Sequence, residues 1–185
     1  MSAVVQNLLT AEEFARLPSP PDGSKQELVR GVIVTMPPPG FRHGKCQAKI
    51  AVKLELYAQT VRPGQVTVKS GVITETGPET VRGPDVSYWS HERLPPAQEP
   101  VVYANVAADL IVEVLSPSDA DRQLTGKVRE YLTMGARMVW VVDPIARTVA
   151  VYKQPGEGRV LWEDATLDGE DVLPGFRCRV ADFFA

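Results

Sequence analysis

The stretches Asp109-Leu-Ile-Val-Glu-Val-Leu115 and Arg137-Met-Val-Trp-Val-Val-Asp143 decide the fold of this chain. Each is a short run that is apolar at both odd and even positions, which is typical of a central strand buried on both faces. A helical pattern over about 119–134 lies between them; it begins after Ser116-Pro-Ser-Asp119, which offers an N-cap, and ends at Gly135. A strand, a helix and a second strand in this order suit a right-handed parallel crossover.

The flanking segments extend this unit to an α/β fold with a mixed sheet. Helical spacing predicts a long helix over about 43–61, with an apolar stripe made of Cys46, Ile50, Leu54, Tyr57 and Val61. We expect strands over 27–36, 65–75, 84–89, 148–153 and 159–164, a capped helix over 10–17, and a short terminal helix at 181–184. The predicted core order is α-β-β-β-α-β, flanked by helices and by extra strands at both ends.

Length and composition set outer limits on the class of protein. The 185 residues are 44% hydrophobic and 23% charged, which predicts a single domain over residues 1–185 with a proper core. No apolar run could span a membrane, the N-terminus lacks a signal-peptide pattern, and the two cysteines form no CxxC motif, so we expect a cytoplasmic protein. The net charge of −3 argues against global electrostatic binding of nucleic acid, but leaves room for a local basic groove.

Three polar residues stand where the pattern predicts burial. Glu113 interrupts an otherwise apolar strand, and an ionised carboxylate there must be paired, protonated or bound to a metal. Asp85 begins the preceding strand, so the two carboxylates converge at one end of the sheet if these strands pair. Lys127 borders the apolar face that Leu124, Val128 and Tyr131 form on the following helix. A structural ion pair, a turn and a snorkelling lysine are the competing interpretations of the three residues.

Together the three side chains suggest phosphodiester chemistry. Carboxylate oxygens suit Mg²⁺, which polarises a phosphate and lowers the pKa of bound water. An ammonium group beside them can orient that water or stabilise charge that develops on phosphorus.

Six segments, taken in order, resemble a known family. They are Gln26-Glu-Leu-Val-Arg-Gly31, Arg42-His-Gly44, Pro84-Asp-Val86, Val112-Glu-Val-Leu-Ser-Pro-Ser118, the stretch from Lys127 to Tyr131, and Val139-Trp-Val-Val-Asp-Pro144. The chain resembles the Uma2 family of endonucleases (the DUF820 group) in the PD-(D/E)XK superfamily, over nearly its whole length. The resemblance implies a restriction endonuclease-like fold and a Mg²⁺- or Mn²⁺-dependent endonuclease that acts on DNA.

The resemblance also assigns residues. Asp85 and Glu113 take the places of the two metal-binding carboxylates, and the main-chain carbonyl of Val114 is a further ligand by analogy. The usual lysine would fall at position 115, which is leucine here, and Lys127 on the next helix fills its role. Two further residues, Glu27 and His43, match recurrent positions of the family and are included in the expected catalytic site.

Two departures from the family pattern leave a rival interpretation open. Val32 stands where an acidic residue is common after a glycine, and Gln123 where an aspartate commonly precedes the helix lysine by four positions. These changes and the acidic net charge favour a catalytically degenerate nuclease-fold module that binds nucleic acid or protein. RNA as the substrate in place of DNA is a third alternative.

Two surface features complete the expectations. Arg42, Lys45, Lys49 and Lys53 form a basic ridge beside the apolar stripe, which could follow phosphates or be an ordinary solvated helix face. The apolar segment Val101-Val102-Tyr103 is a candidate edge for self-association into a homodimer or higher homo-oligomer.

Overall fold

The computed structural model describes residues 8–116 and 121–185, without the side chains of residues 121–123. The expected cap at 117–119 therefore lies outside the described residues. No helix within the described ranges is both long enough and apolar enough to cross a membrane.

The centre of the molecule is a mixed six-stranded sheet. Its strands are β3 (Gly64–Val68), β6 (Val86–Ser90), β7 (Leu110–Val114), β8 (Met138–Asp143), β9 (Thr148–Gln154) and β10 (Glu157–Trp162). They lie in the order β10-β9-β8-β7-β6-β3. The β7–β8 pair is parallel and is joined through helix α3 (Asp121–Met134), whereas β6 and β7 are antiparallel. The expected α/β class with a mixed sheet is confirmed.

Helices cover both faces of this sheet because its central strands are apolar on both sides. Helix α2 (Phe41–Thr60) packs Ile50 and Leu54 against the face that carries Val112. Helix α3 packs Val128 and Tyr131 against the opposite face, which carries Ile111. Side chains alternate along a strand, so Glu113 lies on the same face as Ile111 and points towards α3.

A second, four-stranded sheet lies beside this core. It is formed by β1 (Lys25–Val29), β2 (Val32–Met36), β4 (Val72–Thr76) and β5 (Glu79–Arg82), in the order β2-β1-β5-β4. The short helix α1 (Ala11–Ala15) packs against it, and its capping box is formed by Thr10 and Glu13. The remaining strands, β11 (Thr166–Asp168) and β12 (Arg177–Arg179), pair with each other.

Several predicted boundaries were wrong. The expected strand over 27–36 is a hairpin, because Arg30 and Gly31 both adopt positive φ and form a two-residue turn between β1 and β2. The expected strand over 65–75 is two strands of different sheets, β3 and β4, since the chain turns at Lys69, also at positive φ. Strand β5 was not predicted.

The ends of two helices also differ from expectation. Helix α2 ends at Thr60, so Val61 lies beyond it and is 55% exposed instead of closing the apolar stripe. The segment Val180–Phe183 forms a 3₁₀ turn.

Candidate active site

The antiparallel pairing of β6 and β7 brings the two predicted carboxylates together. Val86 is paired with Val112, so the next positions outward, Asp85 and Glu113, are opposite each other at the end of the ladder. Both residues are buried, with 3% and 6% of their surface exposed. Burial in a low-dielectric environment makes their charges costly unless partners or a cation compensate them.

Asp85 is held from three directions. Its Oδ2 accepts a hydrogen bond of 2.8 Å from the main-chain N–H of Val114 and lies 3.1 Å from His43 Nε2. Its own carbonyl accepts a 2.8 Å bond from Gln47 Nε2, which lies one helical turn after His43 on α2. Burial alone would raise the pKa of Asp85, but the bond and charge of His43, together with the charge of Lys25, lower it.

Glu113 has a different environment. Its Oε1 accepts a 2.5 Å hydrogen bond from the Tyr131 hydroxyl and lies 3.9 Å from Lys127 Nζ. Lys127 and Tyr131 are four positions apart on α3 and therefore share one helix face. Burial raises the pKa of Glu113, and the nearby ammonium groups of Lys127 and Lys25 offset only part of that effect. The two opposed carboxyls thus have pKa values displaced in opposite directions, as in sites where neighbouring acids have separate roles.

Glu27 is the centre of an ion-pair network contributed by the four-stranded sheet and α3. Its Oε1 lies 3.0 Å from Lys127 Nζ and 3.2 Å from Lys25 Nζ, and accepts a 3.3 Å bond from the N–H of Gly83. Its Oε2 accepts a 3.1 Å bond from Arg82, which also pairs with Glu130 at 2.7 Å. Lys127 is therefore closer to Glu27 than to Glu113.

This network determines the charge of Glu27. Its side chain is only 1% exposed, so burial would raise the pKa, but Lys127, Lys25 and Arg82 outweigh burial and lower the pKa to about 2. Glu27 is thus a permanent anion at neutral pH that can hold Lys127 in place.

A groove of about 840 Å³ adjoins the network between the four-stranded sheet and α3. Glu27 and Lys127 form part of its wall, and Arg30 and Arg129 line it farther out. Asp85 and Glu113 are not among its lining residues, whereas Lys127, whose Nζ is 3.9 Å from Glu113, is one of them.

The structure brings the five expected catalytic residues into one cluster, namely Glu27, His43, Asp85, Glu113 and Lys127, and the sixth expected site residue, Val114, contacts Asp85 through its main-chain N–H. Sequence reasoning missed Lys25, Arg82 and the donor roles of Gln47 and Tyr131. Lys25 was detectable in principle, because residues i and i+2 of a strand share a face and it stands two positions before Glu27. Arg82 was not detectable, since β5 itself was not predicted.

Only part of the basic ridge formed by Arg42, Lys45, Lys49 and Lys53 is available to bind a phosphate backbone. Lys53 is committed to Asp182 at 2.9 Å, whereas Arg42 and Lys45 are exposed near the end of α2 that carries His43. In the segment Val101-Val102-Tyr103 the two valines are exposed, but the Tyr103 ring stacks on Phe14 with centroids 6.2 Å apart.

The donor set of the cluster is compatible with a hard divalent cation. Among residues 8–116 and 121–185, no three His, Cys, Asp or Glu side chains are arranged to hold a metal by themselves. Two adjacent carboxylates remain, and Mg²⁺ is commonly bound by one or two carboxylates that are completed by water and substrate phosphates. Asp85 and Glu113 fit that mode of binding.

Comparison with solved structures identifies the class of fold. The chain superposes with a TM-score of 0.80 on a protein from Anabaena variabilis ATCC 29413, whose crystal structure is described as a "putative nuclease belonging to DUF820". The match covers 95% of this chain and 97% of the other at 23% identity. The protein thus has the same fold as that DUF820 protein.

The family follows from the sequence itself. Residues 11–181 match the model of Uma2, described as "Putative restriction endonuclease". The chain belongs to the Uma2 family, which confirms the expected resemblance and supports a nuclease. No curated protein matches the chain.

Proposed function

We propose that the protein is a metal-dependent endonuclease that hydrolyses DNA phosphodiester bonds. The observation that carries this proposal is the opposition of Asp85 and Glu113 at the end of the β6–β7 ladder, with Lys127 Nζ 3.9 Å from Glu113. Membership of a family described as restriction endonucleases supports the same reaction class.

Asp85, Glu113 and the main-chain carbonyl of Val114 would hold Mg²⁺ or Mn²⁺. The bound cation would supply Lewis acidity towards the phosphate and lower the pKa of water. Asp85 is suited to this role because the N–H of Val114 and His43 fix its Oδ2. Metal ligands are generally oriented by such surrounding hydrogen bonds.

Lys127 would stabilise the negative charge that develops on phosphorus. Its ammonium is 3.0 Å from Glu27 and 3.9 Å from Glu113, so it lies in the wall of the groove next to one of the proposed metal ligands. A fixed cation stabilises such a transition state most where little water surrounds it, and the side chain of Lys127 is only 16% exposed. Glu27 would act as the positioning residue of Lys127, and His43 as that of Asp85.

DNA would reach the site along the groove between the four-stranded sheet and α3. Arg30 and Arg129 line the groove, and both are exposed. The exposed Arg42 and Lys45 could follow the backbone on the α2 side.

The deciding experiment is cleavage of DNA by purified protein with and without Mg²⁺ or Mn²⁺. The Asp85→Asn and Glu113→Gln variants should lose cleavage, whereas Glu163→Gln, which changes an exposed carboxylate outside the cluster, should retain it. Cleavage that persists in both site variants, or that does not depend on a divalent cation, would contradict the proposal. RNA of the same sequence, run beside the DNA, distinguishes the two substrates.

One observation favours the rival, a nuclease-fold module without catalysis. Asp85 and Glu113 are almost fully buried, and Lys127 is engaged by Glu27. Calorimetric titration with Mn²⁺ separates the two functions: absence of binding, or binding unaffected by Asp85→Asn and Glu113→Gln, favours the module.

A further inference from the structure

The hydroxyl of Tyr131 is placed on one particular oxygen of Glu113. The O–O distance is 2.5 Å, which is at the short end for a hydrogen bond between a hydroxyl and a carboxylate. Tyr131 is fully buried and Glu113 nearly so, and a buried hydrogen bond of this kind is not weakened by competing water.

The same oxygen faces Lys127. Oε1 of Glu113 accepts the Tyr131 hydroxyl and is the oxygen nearest to the ammonium of Lys127, at 3.9 Å. Because the hydroxyl of Tyr131 and the ammonium of Lys127 come from one face of α3, their spacing is set by one helical turn. A carboxylate whose Oε1 is held in this way has a fixed orientation. Its Oε2 therefore points away from the Tyr131 hydroxyl and the Lys127 ammonium.

The hydroxyl of Tyr131 is suited to donate a hydrogen bond to Glu113. A phenol is protonated at neutral pH, so the Tyr131 hydroxyl can donate its proton to the Glu113 carboxylate. Its ring packs in the apolar cluster under α3 with Val128 and Ile111, which restricts its movement.

We infer that Tyr131 is a positioning residue that orients the Glu113 carboxylate for the divalent cation, acting from α3 on a ligand in β7. The inference rests on the proposed function, since it assigns Tyr131 a task at the proposed metal site. It goes beyond that function because Tyr131 neither touches substrate nor holds the metal itself.

The test is the affinity for Mn²⁺, measured by calorimetry, in the wild-type protein and the Tyr131→Phe variant. Loss of a hydrogen bond to a metal ligand typically weakens affinity about 10- to 100-fold, and we expect a loss in that range. Tyr57→Phe is the matched control, because this buried tyrosine donates at 3.1 Å to the carbonyl of Pro174, away from the site. Its Mn²⁺ affinity should equal that of the wild type.

The possible outcomes distinguish the role of Tyr131 from the proposed function of the protein. Wild-type binding that is unchanged in Tyr131→Phe overturns the inference alone, while the proposed function stands. Absence of Mn²⁺ binding by the wild type overturns both. Affinity lost equally in Tyr131→Phe and Tyr57→Phe also overturns the inference, since the effect would then be a general loosening of the core.

A second measurement does not depend on the variant folding. In wild-type protein labelled with ¹³C at tyrosine Cζ, addition of Mg²⁺ should shift the Tyr131 resonance, because the cation withdraws charge from its acceptor. The Tyr57 resonance should stay in place. A Tyr131 resonance that does not move at saturating Mg²⁺ contradicts the inference.

Discussion

Glu27 and Lys127 are 100 positions apart in the sequence, yet Oε1 of Glu27 lies 3.0 Å from Nζ of Lys127. This contact joins the four-stranded sheet to α3 and places the lysine beside Glu113. The same oxygen of Glu27 is 3.2 Å from Lys25, so one buried carboxylate holds two ammonium groups. The two lysines therefore offer a matched comparison.

Replacement of Lys127 by methionine should reduce the rate of DNA cleavage about 10²- to 10³-fold, the range found when one group that stabilises transition-state charge is removed. Mn²⁺ affinity should not fall, because the change removes a positive charge from beside Glu113. Steady-state cleavage and calorimetry measure the two effects. Lys25→Met is the control; an equal loss of rate in both variants would argue against a special role for Lys127.

Replacement of Glu27 by glutamine should destabilise the protein by about 3–5 kcal/mol, the usual cost of removing one partner from a buried ion pair. The variant leaves Lys25, Lys127 and Arg82 without the anion that compensates them. Urea unfolding measures the change. Glu12→Gln, which breaks the exposed pair with Arg16, should hardly alter stability. Similar stabilities for Glu27→Gln and the wild type would show that the network is not needed for folding.

The lowered pKa of Glu27 also predicts that the stability of the protein depends on pH. Its pKa is lowered from 4.5 in the unfolded chain to about 2 in the folded protein. Its contribution to stability is therefore fully present above pH 4.5 and is lost as the pH falls from 4.5 towards 2. The difference in unfolding free energy between the wild type and Glu27→Gln should shrink across that window. Urea unfolding at pH 6 and pH 3 tests this, and a difference that is constant with pH would contradict it.

Removal of Arg129 should weaken DNA binding without affecting the metal site. Arg129 is exposed, lines the groove and forms no ion pair with the described residues. If it contacts a phosphate, Arg129→Ala lowers affinity and reduces the slope of log affinity against log salt by about one. Fluorescence anisotropy with labelled DNA measures both quantities, with Ca²⁺ in place of Mg²⁺ to suppress cleavage. Arg16→Ala, at the C-cap of α1, should bind as the wild type does. An unchanged slope for Arg129→Ala would place the DNA elsewhere.

The apolar patterns of the central strands were sufficient to predict the α/β class. Both 109–115 and 137–143 contain strands, because a run that is apolar on both faces has few alternatives to the middle of a covered sheet. The hairpin at Arg30-Gly31 was missed because this pair is not one of the common hairpin turns, and tertiary contacts such as the bond from Arg30 N–H to Thr80 support it. At Ser70-Gly71 a turn signal was present, but it was outweighed by the β-branched residues on both sides.

The sequence predicted which residues form the candidate site, but it did not predict most of the contacts between them. Glu113 was conspicuous because a carboxylate in a buried strand is costly, and that cost is visible in the sequence. The pairing of Lys127 with Glu27, and the bond from Tyr131 to Glu113, could not be read from any local pattern. They depend on how α3 lies across the end of the sheet.

The sequence by itself determined the α/β class, the family and the residues that carry unusual charge, since these depend on hydrophobic periodicity and on residue types at short spacing. Only the tertiary structure decided which charges meet. Glu27 and Lys127 come from elements 100 residues apart, and Asp85 meets Glu113 through the antiparallel register of β6 and β7. The reason is physical: the energy of a buried charge depends on groups within a few ångströms in space, and the packing of helices and sheets, not sequence distance, sets which groups those are.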